Sequence, residues 1–222
     1  MSDQIRRVYV WEFPVRLTHW VNVLSILTLS VTGFYIYHPF IHAYSADQYI
    51  MGWMRFIHFA AAYVFLMSII IRIYWAFAGN KYANWRVFFP VTPRAWKEFV
   101  QTMKYYFLII GTPSHAVGHQ AFAAVSYLVL FLFFIFEIIS GFALYSLGHE
   151  GGFIWTLLGG WLLSVMNLQH IRLYHHLVMY VIMAFVITHV YLTWHHGSLD
   201  KDGIMGSMFS GHKFIDPKEL EQ

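Results

Sequence analysis

Residues 172–196 read RLYHHLVMYVIMAFVITHVYLTWHH. The run is long and apolar enough to cross a bilayer as one helix. It nevertheless carries His175, His176 and His189, and an imidazole inside lipid marks function or a specific partner. His175 and His189 are fourteen residues apart. On an α-helix that is about 21 Å along the axis and only about 40° around it. One helix face therefore presents two imidazoles at two depths. His176 and His189 are separated by roughly 140° and lie on opposite sides, so the pair that matters is His175 with His189.

Composition agrees with a membrane setting. Of 222 residues, 59% are hydrophobic, 20% aromatic and only 11% charged, and the mean hydropathy is +0.53. A soluble domain carries about 25% charged residues. The fold expected is all-α, an integral membrane four-helix bundle forming a single domain over 1–222. The formal net charge of +3 is small, and no nucleic acid is expected among the partners. With no cysteine, there is no disulfide, thiolate metal site or cysteine-held iron–sulfur cluster. Any metal must be held by nitrogen or oxygen, and fourteen histidines make nitrogen the better choice.

Four spans are predicted, at about 14–37, 53–77, 121–145 and 170–196. Pro14 suits a first helical turn. The N-terminal apolar run is too long for a signal peptide, carries His19 and Asn22, and reads as a retained span. Residues 1–13 are a polar and aromatic lead-in. PRAWKEFVQTMKYYFLIIG (93–111) has the character of a helix lying in the interface. FIWTLLGGWLLSVM (153–166) is short and broken by Gly159 and Gly160, so it is expected to be surface-lying or re-entrant. The tail, 197–222, is expected to be ordered only by a partner or the membrane face. No internal repeat or low-complexity tract stands out. Lys and Arg concentrate in the N-terminus, the 78–120 connection and the tail, and are missing from 38–52 and 146–169. That bias places both termini in the cytoplasm. Trp20, Trp53, Trp75 and Trp194 stand at predicted span ends as interfacial anchors.

Sorting the span histidines by depth gives two level pairs. His19 and His189 lie toward the cytoplasmic surface, His58 and His175 toward the other. Two imidazoles at one level are what a six-coordinate b-type haem requires, and an iron with both axial positions filled passes electrons and does little else. The metal-ligand set is therefore His19 with His189 for an inner haem iron and His58 with His175 for an outer one, with no catalytic residue. Gly33 and Gly141 could give a porphyrin room, although they equally suit close helix packing. Arg16, Arg55 and Arg172 lie near the ligand levels as candidate propionate partners, although arginines there also snorkel to headgroups. Glu137, about two-thirds through its span, is costly there and reads as a proton relay, a quinone neighbour or a neutral hydrogen-bonding group.

The segments PVRLTHW, MRFIHFAAAYVFLMSIIIRIYWAFAGNKY, SGFALYS and YHHLVMYVIMAFVITHVY resemble the b-type cytochrome subunit of membrane-bound nickel–iron hydrogenases. That group is part of a wider set of four-helix di-haem cytochromes b that includes formate dehydrogenase membrane subunits. The resemblance covers essentially the whole chain, and its ligand positions match His19, His58, His175 and His189. It implies two haem b, a bacterial cytoplasmic (inner) membrane location and quinone as electron acceptor. The partners it implies are a periplasmic hydrogenase with an iron–sulfur small subunit and a nickel–iron large subunit. Electrons would enter at the His58/His175 level, pass to the His19/His189 level and leave to quinone. The chain would anchor the enzyme and conduct its electrons without splitting hydrogen.

Three rivals are weighed beside this. A formate dehydrogenase or another periplasmic donor could use the same conduit. A membrane di-iron hydroxylase or desaturase is faintly suggested by HAVGH (115–119) and His195–His196. A metal transporter lacks matching acidic residues in the spans. The conduit reading predicts that His58→Ala or His175→Ala removes one haem and leaves the other spectrally visible. His19→Ala or His189→Ala removes the other, and His176→Ala leaves both. A pyridine haemochrome count on each purified variant checks this; two haems retained in all four would overturn the ligand set.

Overall fold

Four apolar helices dominate the chain. The computed structural model describes residues 6–45, 47–89, 92–108, 121–148, 150–200 and 203–215. In order along the chain these form β1 (Arg6–Tyr9), α1 (Phe13–Tyr37), α2 (Ile50–Ala78), α3 (Pro93–Leu108), α4 (Ala121–Ser146), α5 (Gly160–Val165), α6 (Leu168–Asp200), α7 (Ile204–Ser210) and β2 (His212–Ile215). The all-α expectation holds, and α1, α2, α4 and α6 each contain a run long and apolar enough to cross a membrane. Large apolar side chains stay exposed along them, among them Leu24, Phe56, Leu132 and Ile187, as lipid-facing side chains do. The predicted spans match these helices to within a few residues at each end.

The chain divides into two compact units. One comprises residues 7–85 with 206–213, and its centre is the α1–α2 hairpin. Thr18, Ser25 and Thr32 of α1 are buried at seven-residue intervals, and Phe65, Ser68 and Ile69 of α2 are buried as well. Small polar residues let membrane helices approach closely, and the Ser68 hydroxyl donates to the Thr18 carbonyl at 3.3 Å. Both threonines return their own hydroxyl protons to their helix, Thr18 to Pro14 O at 2.8 Å and Thr32 to Thr28 O at 2.6 Å.

The same unit corrects the expectation for the tail, whose described residues 206–213 pack against the start of the chain. β1 pairs with β2 in a two-stranded sheet, and Val10 N and Trp11 N donate to Gly211 O at 2.8 and 3.0 Å. Trp11 Nε1 donates to Ser207 Oγ at 3.1 Å, and Trp20 Nε1 to Met208 O at 3.1 Å. The missed signal is Gly211, whose φ of +80° suits glycine alone and whose absent Cβ leaves space for Tyr9 and the Trp11 carbonyl. The RIYWAFAGN run ends in a second knot. Glu12 Oε2 accepts from Trp75 Nε1 at 2.8 Å and Asn80 N at 2.7 Å, while Asn80 Nδ2 donates to Val10 O at 3.0 Å.

The second unit comprises residues 86–205 with Arg6 and residues 214–215. Here α4 packs on α6, and Ala143, Leu162 and Ile171 form a buried cluster with Ile139, Leu144, Leu163 and Met166 around it. The 153–166 segment is helical but too short to span. It runs as a π-turn over Trp155–Gly159 followed by α5. Gly159 is explained by contact, since a Cβ there would collide with Ser146 and meet Ala143 Cα at 3.0 Å. The interfacial expectation for 93–111 corresponds to α3, whose Phe99 stacks on Phe122 at 5.9 Å. The expectations for His115, His119 and His149 fall outside the described residues.

Replacing Gly211 by Ala should free the tail, because a Cβ there would lie 2.6 Å from the Tyr9 ring. Limited proteolysis should then cut within 203–215 faster than in the parent chain, with the helical circular dichroism retained.

Candidate functional site

The helix pairs position His58, His175 and His189 through interhelical hydrogen-bond contacts at Nδ1. On α2, His58 sits within hydrogen-bond distance of the Thr32 hydroxyl of α1, with Nδ1 to Oγ1 at 2.9 Å. The next residue of α1 is Gly33, where a Cβ would lie 3.2 Å from His58 Cε1. On α6, His175 Nδ1 lies 2.8 Å from the Ser140 hydroxyl of α4. The next residue of α4 is Gly141, where a Cβ would lie 3.2 Å from His175 Cε1. The two units thus hold a histidine by the same device: a hydroxyl on Nδ1 and a glycine beneath the ring. At Gly33 and Gly141, singled out from the sequence as room for a cofactor, the side chains nearest an added Cβ are these imidazoles.

His189, on the same face of α6, has its Nδ1 3.3 Å from the Tyr127 hydroxyl of α4 and stacks on Phe185 at 6.0 Å. His19 of α1 meets the Trp20 ring edge-on at 5.1 Å. His176 turns away from this arrangement. Its Nδ1 donates to the Arg172 carbonyl of its own helix at 2.9 Å, as its place on the helix requires.

Glu137 is one of the residues whose role only the structure brings out. Its Oε2 lies 2.9 Å from His175 Nδ1, while its other oxygen, Oε1, is buried with no hydrogen-bond partner among the described residues. Of the roles weighed from the sequence, the geometry is that of a hydrogen-bonding group on a span histidine. Thr32, Ser140 and Tyr127 were not singled out from the sequence at all.

A signal for them exists. VTGFYIY (31–37) of α1 and ISGFALY (139–145) of α4 share a hydroxyl–glycine–phenylalanine core, and MRFIH (54–58) of α2 matches IRLYH (171–175) of α6. The chain therefore contains a weak repeat of a helix pair, which corrects the expectation of no internal repeat. Fourteen residues before Gly33 stands His19, and fourteen before Gly141 stands Tyr127. Fourteen after His58 stands Arg72, and fourteen after His175 stands His189. Each long helix thus carries two of these residues on one face, about 21 Å apart.

The arginines are placed as follows. Arg16 donates to the Phe209 carbonyl and lies over the Phe13 ring at 5.9 Å. Arg55 and Arg172 are exposed, each three residues before a span histidine. Arg72 donates to Ala83 O at 3.4 Å. Among the described residues no three His, Asp or Glu side chains gather to hold a metal ion. Neutral imidazoles held at Nδ1 inside apolar helices suit an axial iron ligand, because the far nitrogen, Nε2, is the one a haem iron takes.

A profile of the prokaryotic cytochrome b561 family matches residues 10–211. Among similar curated proteins, one from Rhizobium leguminosarum bv. viciae is 38% identical over 218 residues, spanning 96% of this chain and 91% of that protein. One from Rhodobacter capsulatus is 38% identical over 229 residues, spanning 99% and 87%. Both carry the name "Probable Ni/Fe-hydrogenase B-type cytochrome subunit". One from Escherichia coli K12 is 36% identical over 230 residues, spanning 96% and 94%, and is named "Probable Ni/Fe-hydrogenase 1 B-type cytochrome subunit".

Valine at Gly33 should reproduce the haem loss of His58→Ala, and valine at Gly141 that of His175→Ala. Alanine at either position should have a smaller effect, since the ring need shift only by a few tenths of an ångström. Haem counts on the four purified variants check the ranking.

Proposed function

The chain belongs to the prokaryotic cytochrome b561 family, and from that membership we propose that it is the membrane-anchoring, di-haem cytochrome b of a nickel–iron hydrogenase, conducting electrons to quinone. The observation that carries this reading lies within α4 and α6. One face of α6 offers His175 and His189 at two depths, and α4 meets each at Nδ1 with Ser140 and Tyr127. Polar interhelical packing accounts for one such contact; two, fourteen residues apart, call for two cofactors on one helix. The names of the relatives support the hydrogenase as partner.

Bound haem b supplies one-electron redox chemistry with no open axial position. The chain's own part is to hold it. His58 and His175 are the proposed ligands at one level, and His19 and His189 at the other, within a single domain of four spans. Arg16, Arg55 and Arg172 are the proposed propionate partners. The chain sits in the bacterial cytoplasmic membrane with both termini inside, as the Lys and Arg bias supports. A periplasmic hydrogenase, iron–sulfur small subunit foremost, delivers electrons at the His58/His175 level, and quinone receives them near the His19/His189 level. Proton release outside and proton uptake inside then charge the membrane.

The complex purified with its hydrogenase should show two haem b per chain by pyridine haemochrome assay. Hydrogen should reduce both, and a quinone analogue should reoxidise them. Protein from haem-replete cells that is colourless and iron-free would overturn the reading, and haem that hydrogen cannot reduce would overturn the hydrogenase assignment.

A further inference from the structure

Beyond the four ligands, we infer that Thr32–Gly33 and Ser140–Gly141 are one haem-positioning device used twice, fixing His58 and His175 as Nδ1–H tautomers that present Nε2 to iron. The inference rests on the haem reading above and extends it to residues that touch no iron. It starts from where each hydroxyl proton goes. Thr32 Oγ1 donates to Thr28 O at 2.6 Å, and Ser140 Oγ donates to Phe136 O at 2.7 Å. A hydroxyl has one proton and two lone pairs. With the proton committed to its own helix, the oxygen can only accept from the ring. The 2.9 Å and 2.8 Å contacts to Nδ1 are therefore N–H donations by His58 and His175. In a neutral imidazole the proton on Nδ1 leaves the lone pair on Nε2, and that lone pair is what a metal binds.

Three features make this a device rather than a chance contact. Both hydroxyls are buried, Thr32 at 4% and Ser140 at 0% exposure, so no water competes for the ring proton. Each is followed by a glycine, where an added Cβ would lie 3.2 Å from Cε1 in both cases, so that the bare backbone leaves the ring its place. The arrangement recurs in two separate units on two different helix pairs. It also assigns work to α4, which bears no histidine among residues 121–146. His175 has a second acceptor in Glu137 Oε2 at 2.9 Å, so its tautomer depends less on its hydroxyl alone.

An N–H donated to an acceptor raises the basicity of the ligating nitrogen, orients the ring and favours the ferric state; losing such a partner weakens metal binding about 10- to 100-fold. Thr32→Val, close in shape but without the oxygen, should therefore release haem faster to apomyoglobin and raise the midpoint potential of one haem, leaving the other unchanged. Thr32→Ser should restore both readouts. Ser140→Ala should act in the same direction but more weakly, and Ser140→Thr should restore it. The full chain is used, with potentiometric titration of the haem absorbance and the helical signal recorded for each variant. Thr32→Val and Thr32→Ser alike in potential and in haem release, on protein holding two haems, would overturn this inference and leave the function standing. Parent protein without haem would instead overturn the function.

Discussion

An imidazole N–H placed within a membrane-spanning helix must find its acceptor in the protein, because the hydrocarbon core supplies none and an unmet polar group there costs several kcal/mol. Much of the local architecture can be read as the answer to that demand. His58 is met by Thr32 and His175 by Ser140, each from the neighbouring helix of its own unit. The acceptor must come close, so the adjacent residue on that helix is glycine. The acceptor must also be unable to rotate away, so its proton is tied to its own backbone. A ring held in this way keeps its proton on Nδ1 and its lone pair on Nε2, which is the state an iron ligand needs.

This assigns the long helices complementary tasks. α2 and α6 carry histidines, while α1 and α4 carry the hydroxyl and glycine that seat them. α1 adds His19 at the other depth, where α4 has Tyr127, and α6 adds His189 where α2 has Arg72. The two hairpins are variations on one plan. They differ in the residues at the second depth, His19 and Arg72 in one and Tyr127 and His189 in the other, so that three helices carry a histidine ligand candidate and α4 carries none.

The ends of the spans are secured separately. Glu12, Trp75 and Asn80 tie the start of α1 to the end of α2, and Gly211 brings the tail back onto Val10 and Trp11. These contacts satisfy backbone and indole N–H groups at the helix ends, where caps are otherwise missing. They also account for the RIYWAFAGN run: its last glycine and asparagine turn the chain so that Asn80 can reach both Glu12 and Val10.

Periodicity and apolar length were enough to show four spans, because a helix that faces lipid must be apolar along its whole length and its bounds follow from where that stops. The fourteen-residue spacing of His175 and His189, and the exclusion of His176 from their face, were equally legible, since both follow from helical rotation alone. The seating of the rings was not. Thr32, Ser140 and Tyr127 are ordinary residues in an apolar run, and the repeat that links them survives only as a hydroxyl–glycine pair and a few aromatics. The return of the tail was hidden for a similar reason, because its short polar strand has no partner nearby in sequence. One chain segment dictates its own rise and rotation, so depth and face can be read from it. Which hydroxyl an imidazole meets, and which nitrogen keeps the proton, is set by a residue on another helix, and only the packed structure brings the two together.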